Sequence, residues 1–536
     1  MADLTTVKMV EVTEDVDKAK EYATAAKKAA ENAAAFFALD TSGMSSVERQ
    51  ISIDFIKGRT GKVFGTKIYR FKSNTTSAGE RLKDSVGLTC TPSTNSVQGT
   101  DDFTTASPIF TWKNCNYVRD DDSTARPTAL EGSANYKTTG NVDVGIVSPT
   151  FWWTRESHDT YDIIYMSDTP HDELGLVPFG EAVTSDGKVL PYYCLSKYMS
   201  VKGTDGLPHS IPGFAPETMS FDDAITEYGK KGKGYHGAGV ARILHGWLML
   251  IIKYATKNTQ KVFQACSGFD TEWQCAVAES NVKRVLVSKT SVPYAGCCVS
   301  VGTRATAGTK MDRSATQTHS VCNRVKVKSI EDVTVSGTTY TALNLDINAA
   351  ISPTTSNYVI TMPCYTGETD AVIGHNDGSY LSNTDGHHSF RIGGIEHGVG
   401  MNELALDEIY YKSGDKEWTL YKAPKGTTLT KDSMNGMEKI ASFTTESTRP
   451  NGDGFIGDVD FYPAKQTYFI SSVGTTGVGD SVGVGDYVWM ALSVATGSKQ
   501  EARTFGNLAP WTLAGFGAAV FRDGLSYRGW NVASAD

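Results

Sequence analysis

A helical period at the start of the chain breaks off and gives way to strand-like runs, and this switch bounds the fold. Val12, Val16, Ala19, Ala23, Ala26, Ala30, Ala33 and Phe37 alternate four and three apart, a heptad seam on a helix rich in Lys and Glu. Thr41, Ser42 and Gly43 end it. Alanine knobs bury little apolar area, so at ~25 cal/mol per Å² the seam is weak alone. Two readings of residues 1–42 stand: a lone amphipathic helix packed on its own domain, or a short stalk for oligomerisation or docking.

From about Lys57 to Pro216 the pattern is strand-like. "GKVFGTKIYRF", "FTWKNCNYV", "NVDVGIVSPTFWWTR" and "TYDIIYM" are β-rich runs separated by Gly, Asp, Ser and Pro clusters. A helical block follows, in which "SFDDAITEYG" opens on a serine cap. In "VARILHGWLMLIIKYATKNTQ", Leu244, Trp247, Leu248 and Ile251 fall at core-helix spacing. His245 on this helix reads as a satisfied buried histidine. The preceding loop, "GKKGKGYHGAG", lacks the GK[ST] of a phosphate loop. Its glycines read as tight turns, although such a loop can hold an anion on backbone N–H groups. "HSVCNRVKVKSIEDVTVSGTTYTALNLD" alternates strictly around a turn at Ser336-Gly337.

A chain of 536 residues exceeds one ordinary core. The expected class is α+β, β-rich and multidomain. The expected division is a helix at 1–42, a β-rich domain at 57–224, a further domain from 225–296 with 366–536, and an inserted β module at 297–365.

The net charge of −9 weighs against nucleic acid and anionic membrane as partners. The run Ile243 to Ala255 is too short for a membrane span of ~20 residues, and "MADLTTVKMVEVTEDV" lacks the basic and apolar regions of a secretory signal. Neither nucleic-acid binding nor membrane insertion is expected. Nine scattered cysteines without a CxxC read as free buried thiols.

Catalytic spacing is missing: there is no HExxH, GxSxG, phosphate loop or zinc knuckle. Asp120 and Asp122 lack EF-hand geometry and read as a solvated turn. Adjacent His387 and His388 would share one metal only in a bent loop. No catalytic residue, metal or cofactor is therefore expected. The terminal segment "RTFGNLAPWTLAGFGAAVFRDGLSYRGWNVASAD" is instead rich in glycine and aromatics. Trp and Tyr offer large contact area at low entropy cost, as a recognition surface needs.

The order of "GWLMLIIKYATKNTQ", "GGIEHGVGMNELALDEIYY" and "FGNLAPWTLAGFGAAVF…GWNVASAD" resembles the C-type lectin-like tail proteins of phages of Gram-positive gut bacteria. The resemblance covers about 225–536. It rests on Trp247, Ala255, Thr256, Asn258 and Gln260 in the helix. Gly393, Gly394, Ile395, Glu396 and Gly400 carry the middle motif, and Gly506, Ala514, Gly515 and Phe516 the last. The chain departs from the pattern at Asn507 and Leu508 and in its "ASAD" ending, and it is not asparagine-rich.

The resemblance implies a virion adhesin, a tail fibre or receptor-binding protein with a C-type lectin-like C-terminal domain. Its partners would be a bacterial cell-surface glycan or protein, other virion proteins through the N-terminal helix, and copies of itself, a homotrimer by analogy. The residues implied to face the receptor are Trp511, Thr512, Leu513, Phe521, Arg522, Asp523, Tyr527, Arg528 and Trp530. Two other expectations are a structural baseplate or capsid decoration protein, and a polysaccharide-degrading enzyme. Formylglycine-generating chemistry on this fold needs cysteines near the C-terminus, and none follows Cys364.

Overall fold

The computed structural model describes residues 4–37, 39–264, 266, 268–374, 376–505, 508, 515–529 and 532–535. Strands dominate, as the sequence patterning requires, and the helices are few. The N-terminal helix, Leu4–Phe37, is followed by Ser46–Gly58, which starts on a capping box between Ser45 and Glu48. The described seam residues of the first helix face solvent: Val16 is 46% exposed, and Ala19, Ala23, Ala26, Ala30 and Ala33 are exposed. The helix meets the body through another face, where the Asn32 amide donates to the Arg59 carbonyl at 3.2 Å.

Two sheets come next. A five-stranded sheet orders Glu80–Lys83, Val63–Tyr69, Tyr161–Ser167, Trp152–Ser157 and Val177–Pro178. A four-stranded sheet orders Ala125–Leu130, Lys113–Arg119, Asp143–Pro149 and Tyr192–Ser196. Beyond the core helix Ala241–Tyr254 lies a six-stranded sheet built around the long hairpin Cys322–Val335 and Thr338–Leu345. Its turn is where the sequence places it, with Ser336 at φ 50° and Gly337 at φ 84°. This sheet also takes in Glu272–Gln274, paired with Tyr358–Met362, and Arg284–Ser288, paired with Thr338–Leu345. The sheet therefore takes in strands from residue 272 on, ahead of the 297 expected for the inserted module.

The largest sheet has nine strands within 402–533. Two of its pairings are parallel, Tyr487–Met490 with Ala519–Phe521 and Asn402–Lys412 with Val532–Ala533. A parallel pair cannot be closed by a tight hairpin. The C-terminal segment therefore adds its strands to a sheet begun more than a hundred residues earlier.

One apolar cluster joins the first sheets, the core helix and the nine-stranded sheet, while the six-stranded sheet packs in a cluster of its own with Val285, Val299 and Leu343. Phe64 and Trp153 from the five-stranded sheet, with Phe110 and Phe151 from the connections beside it, belong to the same core as Trp247, Phe390, Phe516 and Phe521. Residues 57–224 accordingly bury one set of apolar faces against the core helix and the C-terminal sheet, while Cys115, Tyr117, Val147 and Tyr192 of the four-stranded sheet form a separate core with Ile51 and Phe55 of the second helix. Both faces of that helix of the main core, Ala241–Tyr254, are covered, which explains why twelve successive residues, Arg242 to Lys253, are all buried.

The candidate receptor-binding surface

Three sequence motifs meet around Phe516. Its ring lies edge-on to Trp247 at 5.5 Å, to Phe505 at 5.0 Å and to His397 at 5.5 Å. Behind Trp247 the helix ends at Ala255, in the left-handed conformation. Thr256 Oγ1 then donates to the Ser77 carbonyl. The Asn258 side chain accepts from the Lys261 amide and donates to the Asp480 carbonyl. Gln260 Nε2 donates to the Gly485 carbonyl at 2.6 Å and to Asp486 Oδ1 at 3.0 Å.

Asp486 is the hub of this junction. It accepts from Thr259 Oγ1 and, at 2.6 Å, from the Gly517 amide. A Cβ on Gly515 would stand 2.7 Å from Asp486 Oδ1, so the close approach of backbone to carboxylate needs glycine there. Burial pushes the Asp486 carboxyl up to about 6, against the opposing pull of these donors.

The middle motif makes a two-residue hairpin between Phe390–Ile392 and Ile395–His397, with Gly393 at φ 55° and Gly394 at φ 86°. A side chain on Gly393 would run into the His245 ring. His245 is buried as expected, but its Nδ1 has no hydrogen-bond partner. It sits among Phe151, Phe179 and Tyr193, and burial depresses its pKa to about 3, so it is neutral and works as a packing ring. Glu396 turns inward and accepts from the amides of Gly367 and Thr369 at 2.8 and 3.0 Å.

The residues expected to face outward divide. Trp511, Thr512, Leu513 and Trp530 lie outside the described residues, as do the motif residues Gly506 and Ala514. Phe521 is not a surface residue. It is 0% exposed, stacked on Tyr410 at 4.1 Å and edge-on to Trp418 at 5.4 Å. The reason is its strand: Ala519–Phe521 pairs on both edges, with Tyr487–Met490 and Lys499–Thr504. Burial inside the sheet outweighs any use of the ring as a contact.

Arg522, Tyr527 and Arg528 are exposed, Tyr527 by 41%. Asp523 is half-buried and works from below. Its carboxylate takes Arg503 Nη1 at 2.8 Å, while Arg503 Nε donates to Glu501 Oε2 at 2.6 Å. The Arg503 guanidinium also lies 4.8 Å from the Tyr527 ring. Arg528 Nε donates to the Thr218 carbonyl at 3.1 Å and lies 3.6 Å from Asp223. Arg522 and Tyr527 thus lie beside the chain Glu501–Arg503–Asp523, and Arg528 lies against Thr218 and Asp223.

Sequence reading missed Glu501, Arg503 and Thr218. The signal for two of them was present, since residues i and i+2 of a strand share a face and Glu501 and Arg503 carry opposite charge. Thr218 carries no local signal.

One group of residues among those described has the proximity for metal ligation, Cys90, Asp101 and Asp377. Lys253 Nζ sits within it, 2.8 Å from Asp101 Oδ2 and 2.6 Å from Asp377 Oδ2. An ammonium supplies the positive charge that a cation would bring. His388 Nδ1 pairs with Asp385 at 2.6 Å, and His387 packs on Phe269. Asp122 accepts from the amides of Thr124 and Ser185, as a turn carboxylate does. None of the nine cysteines is disulfide-bonded. Among the described residues no helix is long and apolar enough to cross a membrane.

Neither a scan against protein-family models nor a search of curated proteins finds a match to this chain.

Proposed function

We propose that the protein is a phage virion adhesin, a tail-fibre or receptor-binding protein whose C-terminal domain is C-type lectin-like. The observation that carries this reading is the division of the terminal segment. Phe516, Phe521 and Leu525 are buried, while Arg522, Tyr527 and Arg528 of the same stretch are exposed. Such a surface suits recognition, because the groups that meet the partner pay little to become ordered. The exposed heptad seam supports assembly of several copies, which would convert weak single contacts into avidity.

The test is adsorption of the purified full chain to a panel of Gram-positive gut bacteria, beside an Arg522→Ala/Tyr527→Ala/Arg528→Ala variant. The variant should lose adsorption to any strain the wild type binds while melting at the same temperature. Equal adsorption would remove these residues from the site.

A specific contact favours a second reading, a structural baseplate or capsid decoration protein. Arg528 is engaged within its own chain by Thr218 and Asp223. An antibody against 522–529 separates the two readings on intact particles: it reaches an adhesin and is excluded from a subunit contact.

A further inference from the structure

The outer face of the nine-stranded sheet departs from the alternation that water imposes on a strand. Gly454–Tyr462, Tyr487–Met490 and Ala519–Phe521 lie side by side in it. Ile456, Val488, Met490, Ala519 and Phe521 point into the main core. The residues between them point the other way, where polar side chains are expected. They are instead Phe455, opposite Tyr487, and Trp489, beside Val520.

The three rings form one group. Tyr487 meets Phe455 edge-on at 5.2 Å and lies 5.0 Å from Trp489. Tyr487 itself is covered, but Phe455 and Trp489 are half-buried and keep surface in solvent. Rings held by a sheet offer flat apolar contact at little entropy cost, as the face of a sugar ring requires.

Exposed guanidinium groups flank the rings. Arg449 lies 5.4 Å from the Tyr487 ring and, among the described residues, forms no ion pair. Arg522 follows Val520 by two residues. Its ion pair with Asp523, at 3.7 Å, uses a carboxylate that Arg503 already holds at 2.8 Å. Asp453 connects the two arginines. Its Oδ1 accepts from the Met490 amide at 2.6 Å. Burial raises its pKa and the charges of Arg522 and Arg449 pull it back, so both guanidinium groups lie within electrostatic reach of it. Guanidinium groups beside aromatic rings suit a partner that joins a carboxylate to a flat ring. A neutral glycan brings the ring without the charge, and a poly(glycerol phosphate) chain brings the charge without the ring.

We infer that this face binds a glycan containing uronic acid units, a sugar ring against Phe455 and Trp489 and its carboxylate at Arg449 and Arg522. The site continues the terminal surface, since Arg522 belongs to both. It rests on the adhesin reading for where the glycan lies, on a cell surface, and not for its chemistry.

Calorimetric titration of the full chain with hexagalacturonate, maltohexaose and poly(glycerol phosphate) tests it. Hexagalacturonate should bind saturably, and the other two about tenfold more weakly or worse, the worth of one charge-assisted bond or one ring contact. Trp489→Ala should weaken hexagalacturonate about tenfold. Arg449→Gln is the cleaner variant: the side chain is exposed and unpaired, so melting should not change while the preference for the acidic sugar falls. The inference is overturned if hexagalacturonate does not bind at millimolar concentration, if either other probe binds as tightly, or if both variants bind as wild type does. Adsorption to bacteria without binding of hexagalacturonate removes this inference and leaves the adhesin reading. Binding of hexagalacturonate without adsorption to any strain supports the site and removes the adhesin reading.

Discussion

The two ends of the chain use apolar residues in opposite ways. At the N-terminus a heptad seam of mostly alanine lies in solvent along a 34-residue helix. At the C-terminus Phe516 and Phe521 are fully buried in the core that joins the first sheets to the nine-stranded sheet. The difference lies in what each side chain can contribute. An alanine removes too little area from water to offset the ordering of a long helix against the body, whereas each buried aromatic removes about 150–250 Å². The described seam residues stay in solvent, and the terminal rings serve the fold.

The sharpest way to break this comparison is Phe521→Ala. Truncating a stacked ring with no solvent contact should cost about 3–5 kcal/mol in denaturant unfolding. A loss below about 1 kcal/mol would place the ring at the surface after all.

A pH series probes the same buried sheet. Glu408 is fully enclosed beside Tyr410 and accepts from Thr467 Oγ1. Burial first, and then the neighbouring Asp407 charge, raise its carboxyl from 4.5 to about 8. The fold thus prefers the protonated form. Stability from this group is fully present below its unfolded value near 4.5 and is lost as pH rises through about 8. Glu408→Gln should flatten the fall in melting temperature between those limits. An unchanged slope would mean that other groups set it.

Smaller effects are expected at the exposed positions. Arg522→Ala and Tyr527→Ala should each shift unfolding by no more than about 0.5 kcal/mol, against the large cost at Phe521 one residue away. The smallest effect on stability belongs to the N-terminal helix. Removing residues 1–42 should leave the melting temperature nearly unchanged, while light scattering falls from an oligomer to a single chain. A full chain that is already a monomer would show that the seam has no second copy to meet.

Local features of this fold were legible in the sequence because their causes are local. The heptad spacing places the first helix, the Ser336-Gly337 pair sets a hairpin turn, and Trp247 with its helical neighbours marks the core helix. What escaped depends on distant partners. Glu272 pairs across from Ile360 and Arg284 from Asn344, so the module boundary cannot be read from the run between 272 and 297. Phe521 looked like a loop aromatic because the two strands that enclose it arrive from Tyr487–Met490 and Lys499–Thr504. The continuous core from Phe64 to Phe521 was hidden for the same reason. At the candidate surface, Arg522, Tyr527 and Arg528 were implied by the resemblance, but the Glu501–Arg503–Asp523 chain is a product of the sheet.

The central claim is a division of labour, in which the N-terminal helix gathers copies and the C-terminal face makes a weak contact. It is tested most directly by comparing cell-surface affinity of the full chain with that of a chain lacking residues 1–42, on one bacterial strain. The account predicts that the full chain binds about a hundredfold more tightly or better, through avidity, and that the Arg522/Tyr527/Arg528 triple variant loses binding in both backgrounds. Equal affinity of the long and short chains would contradict it.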